Sequence, residues 1–203
     1  EPCIKSGYRT HAAAGSPAAL LEGLDRFRVL CAHRSGLFGA EGINRLTERL
    51  LAQQGTIRVD PRRSGPWYAG RPVLITRNDY PLGLFNGDTG ITLADPAAPT
   101  PELFVFFPDA GGGLRRFLPY RLPEHETVFA MTVHKSQGSE FDEILLVLPE
   151  RDSPVLTREL IYTALTRSRR RLTLRADRAV LSAAIRRRIE RASGLQEALW
   201  GEA

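Results

Sequence analysis

The chain has 203 residues, 28 Lys plus Arg against 23 Asp plus Glu, a formal net charge of +5 and a hydrophobic fraction of 42%. That length suits one domain with an insertion or two small ones, and the apolar share allows a real core. Two cysteines, Cys3 and Cys31, lack framework spacing, which argues against a disulfide scaffold or a zinc site and fits a reducing, cytoplasmic compartment. No apolar run reaches membrane-span length, and no signal peptide is visible.

The positive charge is compatible with a polyanionic partner but is weak support for one. The kind of charge is more informative. Lys5 and Lys135 are the only lysines among 28 cations. An Arg-biased genome would explain the rest, and Lys135 stands out against it. The chain opens on Glu1 rather than Met, and the expectation is that an upstream portion precedes it.

Ser16-Pro17 predicts a helix through Phe27, with Ser as cap and Pro at the first helical position. Arg28 to His33 reads as a short buried strand. It ends at the glycine-punctuated loop Arg34-Ser-Gly-Leu-Phe-Gly. A second helix is predicted from about Ala40 to Gln54, with Ile43, Leu46, Leu50 and Leu51 at helical spacing and Gly55 as its stop. Residues Asp60 to Gly70 form a Pro/Gly/Arg-rich connector, and Arg71 to Asn78 reads as a strand. Short β-like runs follow at Thr89 to Ala94, Leu103 to Phe107 and Arg115 to Leu118. Asn86-Gly87-Asp88, a proline-rich stretch and Gly111 to Gly113 separate them, a texture that predicts a small antiparallel barrel.

Thr127 to Val133 reads as one near-continuous apolar strand and Glu143 to Leu148 as another, suited to a sheet covered on both faces. Thr157 can cap a helix to about Arg167, with Leu160, Ile161, Ala164 and Leu165 on its buried side. A strand at Arg171 to Arg175 comes next. Asp177 then caps a last helix through about Ala192, closed by Gly194, its Arg186-Arg-Arg cluster forming a solvated face.

The polar residues gather where strands end, the usual place for ligands in open α/β sheets. Thr132-Val-His-Lys-Ser-Gln-Gly-Ser-Glu-Phe-Asp and Glu159-Leu-Ile-Tyr-Thr-Ala-Leu-Thr-Arg resemble motifs V and VI of superfamily 1 DNA helicases of the RecD type. The resemblance covers most of the chain and implies the C-terminal part of such a protein. It implies an α/β fold: a RecA-like parallel sheet flanked by helices (helicase domain 2A) with a small SH3-like β-barrel insertion (2B). The implied division is residues 1–78 and 125–203 for the RecA-like domain and 79–124 for the insertion.

The implied function is the motor part of an ATP-dependent helicase moving 5′ to 3′ on single-stranded DNA, acting in double-strand-break repair and recombination. Its implied partners are single-stranded DNA, its own N-terminal RecA-like domain, and RecB- and RecC-like subunits; no membrane is involved. Nuclease activity in such a complex belongs to another subunit. The phosphate-cradling pattern G-x-x-x-x-G-K-[ST] is absent from the sequence. ATP and Mg²⁺ would therefore be held mainly by the upstream domain, and this stretch alone is expected to be inactive.

The resemblance also implies residue roles. Arg167 matches the motif VI arginine that stabilises charge on the transferring phosphoryl group, where a planar, permanently charged guanidinium suits the task. Arg34 matches a motif IV arginine reaching the terminal phosphate. Glu140 lies near the ribose, and Gly138 permits a tight turn and close backbone approach. Thr132, His134, Lys135 and Gln137 can bond phosphate and sugar without reading base identity, as a translocating motor requires. His134 taken alone would more often be a structural histidine, and Arg169, Arg170 and Arg171 suit a helix end favoured by its dipole. No His/Cys spacing supports a metal. In the insertion, Phe85, Phe104, Phe106, Phe107, Phe117 and Tyr120 fit a barrel core, or a stacking surface beside Arg115, Arg116 and Arg121. Two rival readings are a helicase domain of a conjugative relaxase and a degenerate RecA-like module that binds DNA or protein without hydrolysis.

Overall fold

The computed structural model describes residues 1–9, 11, 15–59, 65–95 and 102–189. Two sheets divide the strands. The first is parallel, in the order β7-β1-β8-β9: β7 (Ala130–Thr132), β1 (Phe27–Cys31), β8 (Phe141–Val147) and β9 (Ser168–Arg175). Its two central strands, β1 and β8, carry Val, Ile, Leu, Phe and Cys on both faces, so helices must cover both. On one face α1 (Pro2–Gly7), α2 (Pro17–Arg26) and α3 (Ala40–Gln53) build a core from Ile4, Leu20, Leu24, Ile43, Leu51 and Phe129. On the other, α4 (Arg158–Leu165) and α5 (Arg178–Arg186) bury Leu160, Ile161, Ala164 and Val180 against Leu30, Ile144 and Leu146.

The caps expected from the sequence are in place. Ser16 Oγ accepts from the Ala19 amide at 3.3 Å, Thr157 Oγ1 from Leu160 at 3.3 Å, and Asp177 Oδ1 from Ala179 at 2.7 Å. The last helix ends at Arg186, where Arg187 turns extended; the expected stop at Gly194 lies outside the described residues. Among these residues no helix is long and apolar enough to cross a membrane.

The second sheet is antiparallel, in the order β5-β4-β3-β2-β6: β5 (Leu114–Phe117), β4 (Leu103–Pro108), β3 (Thr89–Ala94), β2 (Pro72–Ile75) and β6 (His125–Thr127). It reaches beyond residues 79–124 at both ends, since β2 pairs with both β3 and β6. Val73, Ile75, Leu84, Val105 and Phe107 form its own small core. Phe106 packs instead on the first helical core, and Phe117 flanks the small one. Phe104 lies 5.1 Å below the Arg116 guanidinium. Phe85 and Tyr120 are exposed, so only part of the aromatic set is core.

The single strand expected from Thr127 to Val133 is two strands in two sheets. β6 ends at Thr127, β7 begins at Ala130, and the fully buried Val128 and Phe129 form the passage. Apolarity alone cannot reveal this break, because both sheets bury the segment. Buried polar side chains reveal it. Asn44 Nδ2 donates to the carbonyls of Thr127 and Ala130, each at 2.9 Å, and its Oδ1 accepts from the Ala130 amide at 2.7 Å. The Tyr8 hydroxyl donates to the Phe129 carbonyl. Backbone groups that leave one ladder before joining the next are thereby paired rather than buried bare.

Candidate functional site

Since all four strands of the first sheet run the same way, its two edges differ. At the carboxyl edge, Thr132 stands level with Cys31, and Cys31 with Val147. A cavity of about 210 Å³ opens there between α3, β6 and β7, lined by Arg34, Asn44, Arg45, Glu126, Thr132 and Lys135 among others. Thr132 Oγ1 accepts from the Lys135 amide at 3.3 Å. The Lys135 ammonium lies 2.7 Å from Glu126 Oε1. The Arg34 loop is built tightly. Glu41 takes the Arg34 Nε at 3.1 Å and the Ser35 hydroxyl at 3.1 Å. A Cβ at Gly42 would stand 2.3 Å from the Gly36 carbonyl oxygen, so only glycine lets helix and loop approach this closely.

At the amino edge, Arg167 immediately precedes β9, and the amide of Phe141, the first residue of β8, donates to the Arg167 carbonyl at 2.8 Å. The Arg167 side chain folds over the preceding loop. Its Nη1 donates to the Ser139 carbonyl at 3.1 Å, its Nε to the Thr163 carbonyl at 3.3 Å and its Nη2 to the Thr166 hydroxyl at 3.2 Å. Glu140 accepts from Arg169 Nε at 3.1 Å. Gly138 has φ +86, a left-handed conformation that glycine adopts freely.

Residues 133–140 are the crossover between parallel strands β7 and β8. The segment carries a short 3₁₀ turn, His134–Ser136, in place of a helix. His134 and Gln137 line a second cavity of about 340 Å³ against Thr157, Glu159 and Thr163 of the α4 region. The motif therefore has three parts: Thr132 and Lys135 at the carboxyl edge, His134 and Gln137 along the crossover, Gly138 and Glu140 approaching the amino edge.

The structure does not bring Arg34 and Arg167 together. Arg34 follows the end of β1, and Arg167 precedes the start of β9. The span from Phe141 to Val147 separates those levels, about 20 Å along the strands at ~3.3 Å per residue. Arg34 instead joins Thr132 and Lys135. Two expectations about other arginines change. Arg169, Arg170 and Arg171 lie on β9, not at a helix end, and face Glu140, Asp142 and Glu143 at 3.1, 4.0 and 3.7 Å. Arg187 is no free surface charge: it pairs with Asp152 through both nitrogens.

Sequence reasoning missed Arg28, Tyr8 and Asn44, which fix the start of β7. A signal for the first existed: Arg28 interrupts an otherwise apolar strand. Burial pushes the Tyr8 hydroxyl up and the Arg28 guanidinium down from their ordinary pKa ranges. Cys31, deep in β1, is pushed up to about 12 by burial, so it is an inert packing residue.

With this geometry in place, comparison with known proteins defines the class. A family model described as UvrD-like helicase C-terminal domain matches residues 127–174, the stretch from the end of β6 through most of β9. RecBCD enzyme subunit RecD of Mycobacterium tuberculosis is 44% identical over 188 residues, 93% of this chain and 31% of that protein. An ATP-dependent RecD2 DNA helicase of Deinococcus radiodurans is 35% identical over 152 residues, 74% of this chain and 20% of that protein. The Pif1 helicase from Bacteroides, solved in complex with ADP-AlF3 and ssDNA, aligns over 87% of this chain and 49% of its own, at 18% identity and a TM-score of 0.46. The chain belongs to the RecD family and matches the C-terminal part of its members. It spans under a third of the length of the curated relatives named above.

Proposed function

We propose that the chain is the C-terminal motor region of an ATP-dependent DNA helicase that moves 5′ to 3′ on single-stranded DNA and serves double-strand-break repair with RecB- and RecC-like subunits. The observation that carries this reading is that the matched residues reach both edges of one parallel sheet, joined by residues 133–140. A motor must link a nucleotide site to a DNA site, and a stretch reaching from one to the other supplies that link.

Arg167 is the arginine finger in this reading, with Glu140 and Gly138 beside the nucleotide. To reach a γ-phosphate, its guanidinium exchanges the Ser139 carbonyl and Thr166 hydroxyl for phosphate oxygens. Thr132, His134, Lys135 and Gln137 contact the DNA backbone. Among the described residues no group of three or more His, Cys, Asp or Glu could hold a metal. The Mg²⁺ carried by ATP would take its protein ligands from an upstream RecA-like domain. This stretch alone would then not turn over ATP. The antiparallel sheet, from β2 to β6, is read as an SH3-like insertion between two segments of a RecA-like domain. Five short strands with a 3₁₀ turn, Pro119–Arg121, between the last two support that reading.

The test is ATP hydrolysis by the full-length polypeptide, with and without single-stranded DNA, for wild type and Arg167→Ala. DNA should stimulate the wild type strongly. The variant should lose at least about 10²-fold in turnover while still binding ATP. Equal turnover in the variant removes the arginine finger; no DNA-stimulated turnover in the wild type removes the motor.

A further inference from the structure

Two cations facing the carboxyl-edge cavity already hold carboxylates. Arg34 holds Glu41, a neighbour on its own loop and helix. Lys135 holds Glu126 at 2.7 Å, with only 32% and 26% of the two side chains exposed. Arg45 and Glu48 line the same cavity. A phosphate arriving here meets as many acids as cations.

The Lys135–Glu126 pair differs from the other in what it connects. Glu126 belongs to β6 of the antiparallel sheet, opposite Leu74 of β2. Lys135 lies in the 3₁₀ turn that follows β7 of the parallel sheet. The pair bridges the two sheets beside the passage Val128-Phe129. Being mostly buried, it is screened by salt less than a surface pair. A carboxylate and a phosphate oxygen are equivalent charge-assisted acceptors for an ammonium, so one can replace the other at small cost.

Resting on the reading that Lys135 contacts DNA phosphate, we propose that Glu126 is a latch that competes with that phosphate. Single-stranded DNA enters by displacing the carboxylate from Lys135, which also frees β6 from the motif turn. The carboxylate returns as the phosphate leaves. A motor must release every phosphate it grips, and an internal competitor lowers the cost of release. Glu126 is thus an acid placed against a DNA site, and its removal strengthens binding.

The test is equilibrium binding of labelled oligo(dT) to the full-length polypeptide over a range of salt, for wild type, Glu126→Gln, Glu126→Ala, Lys135→Ala and the double variant Glu126→Gln/Lys135→Ala. Both Glu126 variants should bind several-fold tighter at low salt, with a salt dependence steeper by about one counterion. The gain should vanish in the Lys135→Ala background, because the two residues act on one contact. If neither Glu126 variant binds tighter, or if the gain survives without Lys135, the latch is wrong while the DNA-binding edge stands. If Lys135→Ala alone binds as wild type, the DNA reading of this edge falls and the latch with it.

Discussion

Arg28 Nη1 donates a 2.6 Å hydrogen bond to the carbonyl of Val128, and the same guanidinium lies 5.0 Å from the centroid of the Phe141 ring. Val128 sits just before β7 and Phe141 opens β8. One arginine, 1% exposed, therefore touches both ends of the stretch that carries Thr132, Lys135 and Glu140. A side chain buried this deeply is held by what it bonds, and what it bonds is held in turn.

Truncating it should be costly. Arg28→Ala leaves the Val128 carbonyl without this donor and opens a cavity beside Phe141, an expected loss of about 2–4 kcal/mol. Arg28→Met should lose less, because it keeps most of the volume and removes the buried charge together with the bond. Urea unfolding midpoints of the two variants decide the matter. An alanine variant as stable as wild type, or a methionine variant worse than alanine, contradicts this account of Arg28.

Asn44 makes three hydrogen bonds with its amide, two as donor and one as acceptor. Asn44→Asp keeps the acceptor but sets a carboxylate against the carbonyl oxygens of Thr127 and Ala130. The new carboxyl is buried among acceptors, so its folded pKa is raised above its unfolded value. The folded state then binds more protons than the unfolded one, and stability falls as pH rises. The variant should approach wild-type stability in acid and lose ground toward neutral pH, whereas Asn44→Ala should show a deficit that does not depend on pH. Melting temperatures across pH separate the two patterns; parallel curves for both variants count against the assigned amide orientation.

The sequence was legible where one rule dominated. The caps at Ser16, Thr157 and Asp177, the edges of β3, and the helix from Ala40 follow from local chemistry, and the structure agrees. The motif residues were legible as types, but not their distribution, because which edge a residue reaches depends on strand direction and order. The break at Val128 was hidden because burial on both sides of it looks the same in a one-dimensional pattern. β9 begins at Ser168, before the Arg171 start read from the sequence. Three consecutive arginines carry no strand signal, and their pairing with Glu140, Asp142 and Glu143 is visible only in three dimensions.

The end of α5 offers a pH-dependent test. Arg187 Nη1 and Nη2 contact Asp152 Oδ1 and Oδ2 at 2.9 and 2.5 Å, and Nη1 also donates to the carbonyls of Ser153 and Leu156 at 2.7 and 2.8 Å. This fork pins the loop leading into α4 to the residue after α5. Hydrogen bonding from Arg187 holds the Asp152 carboxyl below its ordinary range. A depressed folded pKa means the unfolded state binds the proton more readily. The contribution to stability is therefore full above the unfolded value, near ~3.9, and is lost as pH falls through the folded one. Asp152→Asn should leave a flatter acid limb in melting temperature against pH, with the difference from wild type shrinking as acid protonates Asp152. Arg187→Lys should behave like the Asn variant, since an ammonium cannot reproduce the two-pronged contact and the two carbonyl bonds together. An acid limb unchanged in both variants would show that this pair adds nothing to the fold.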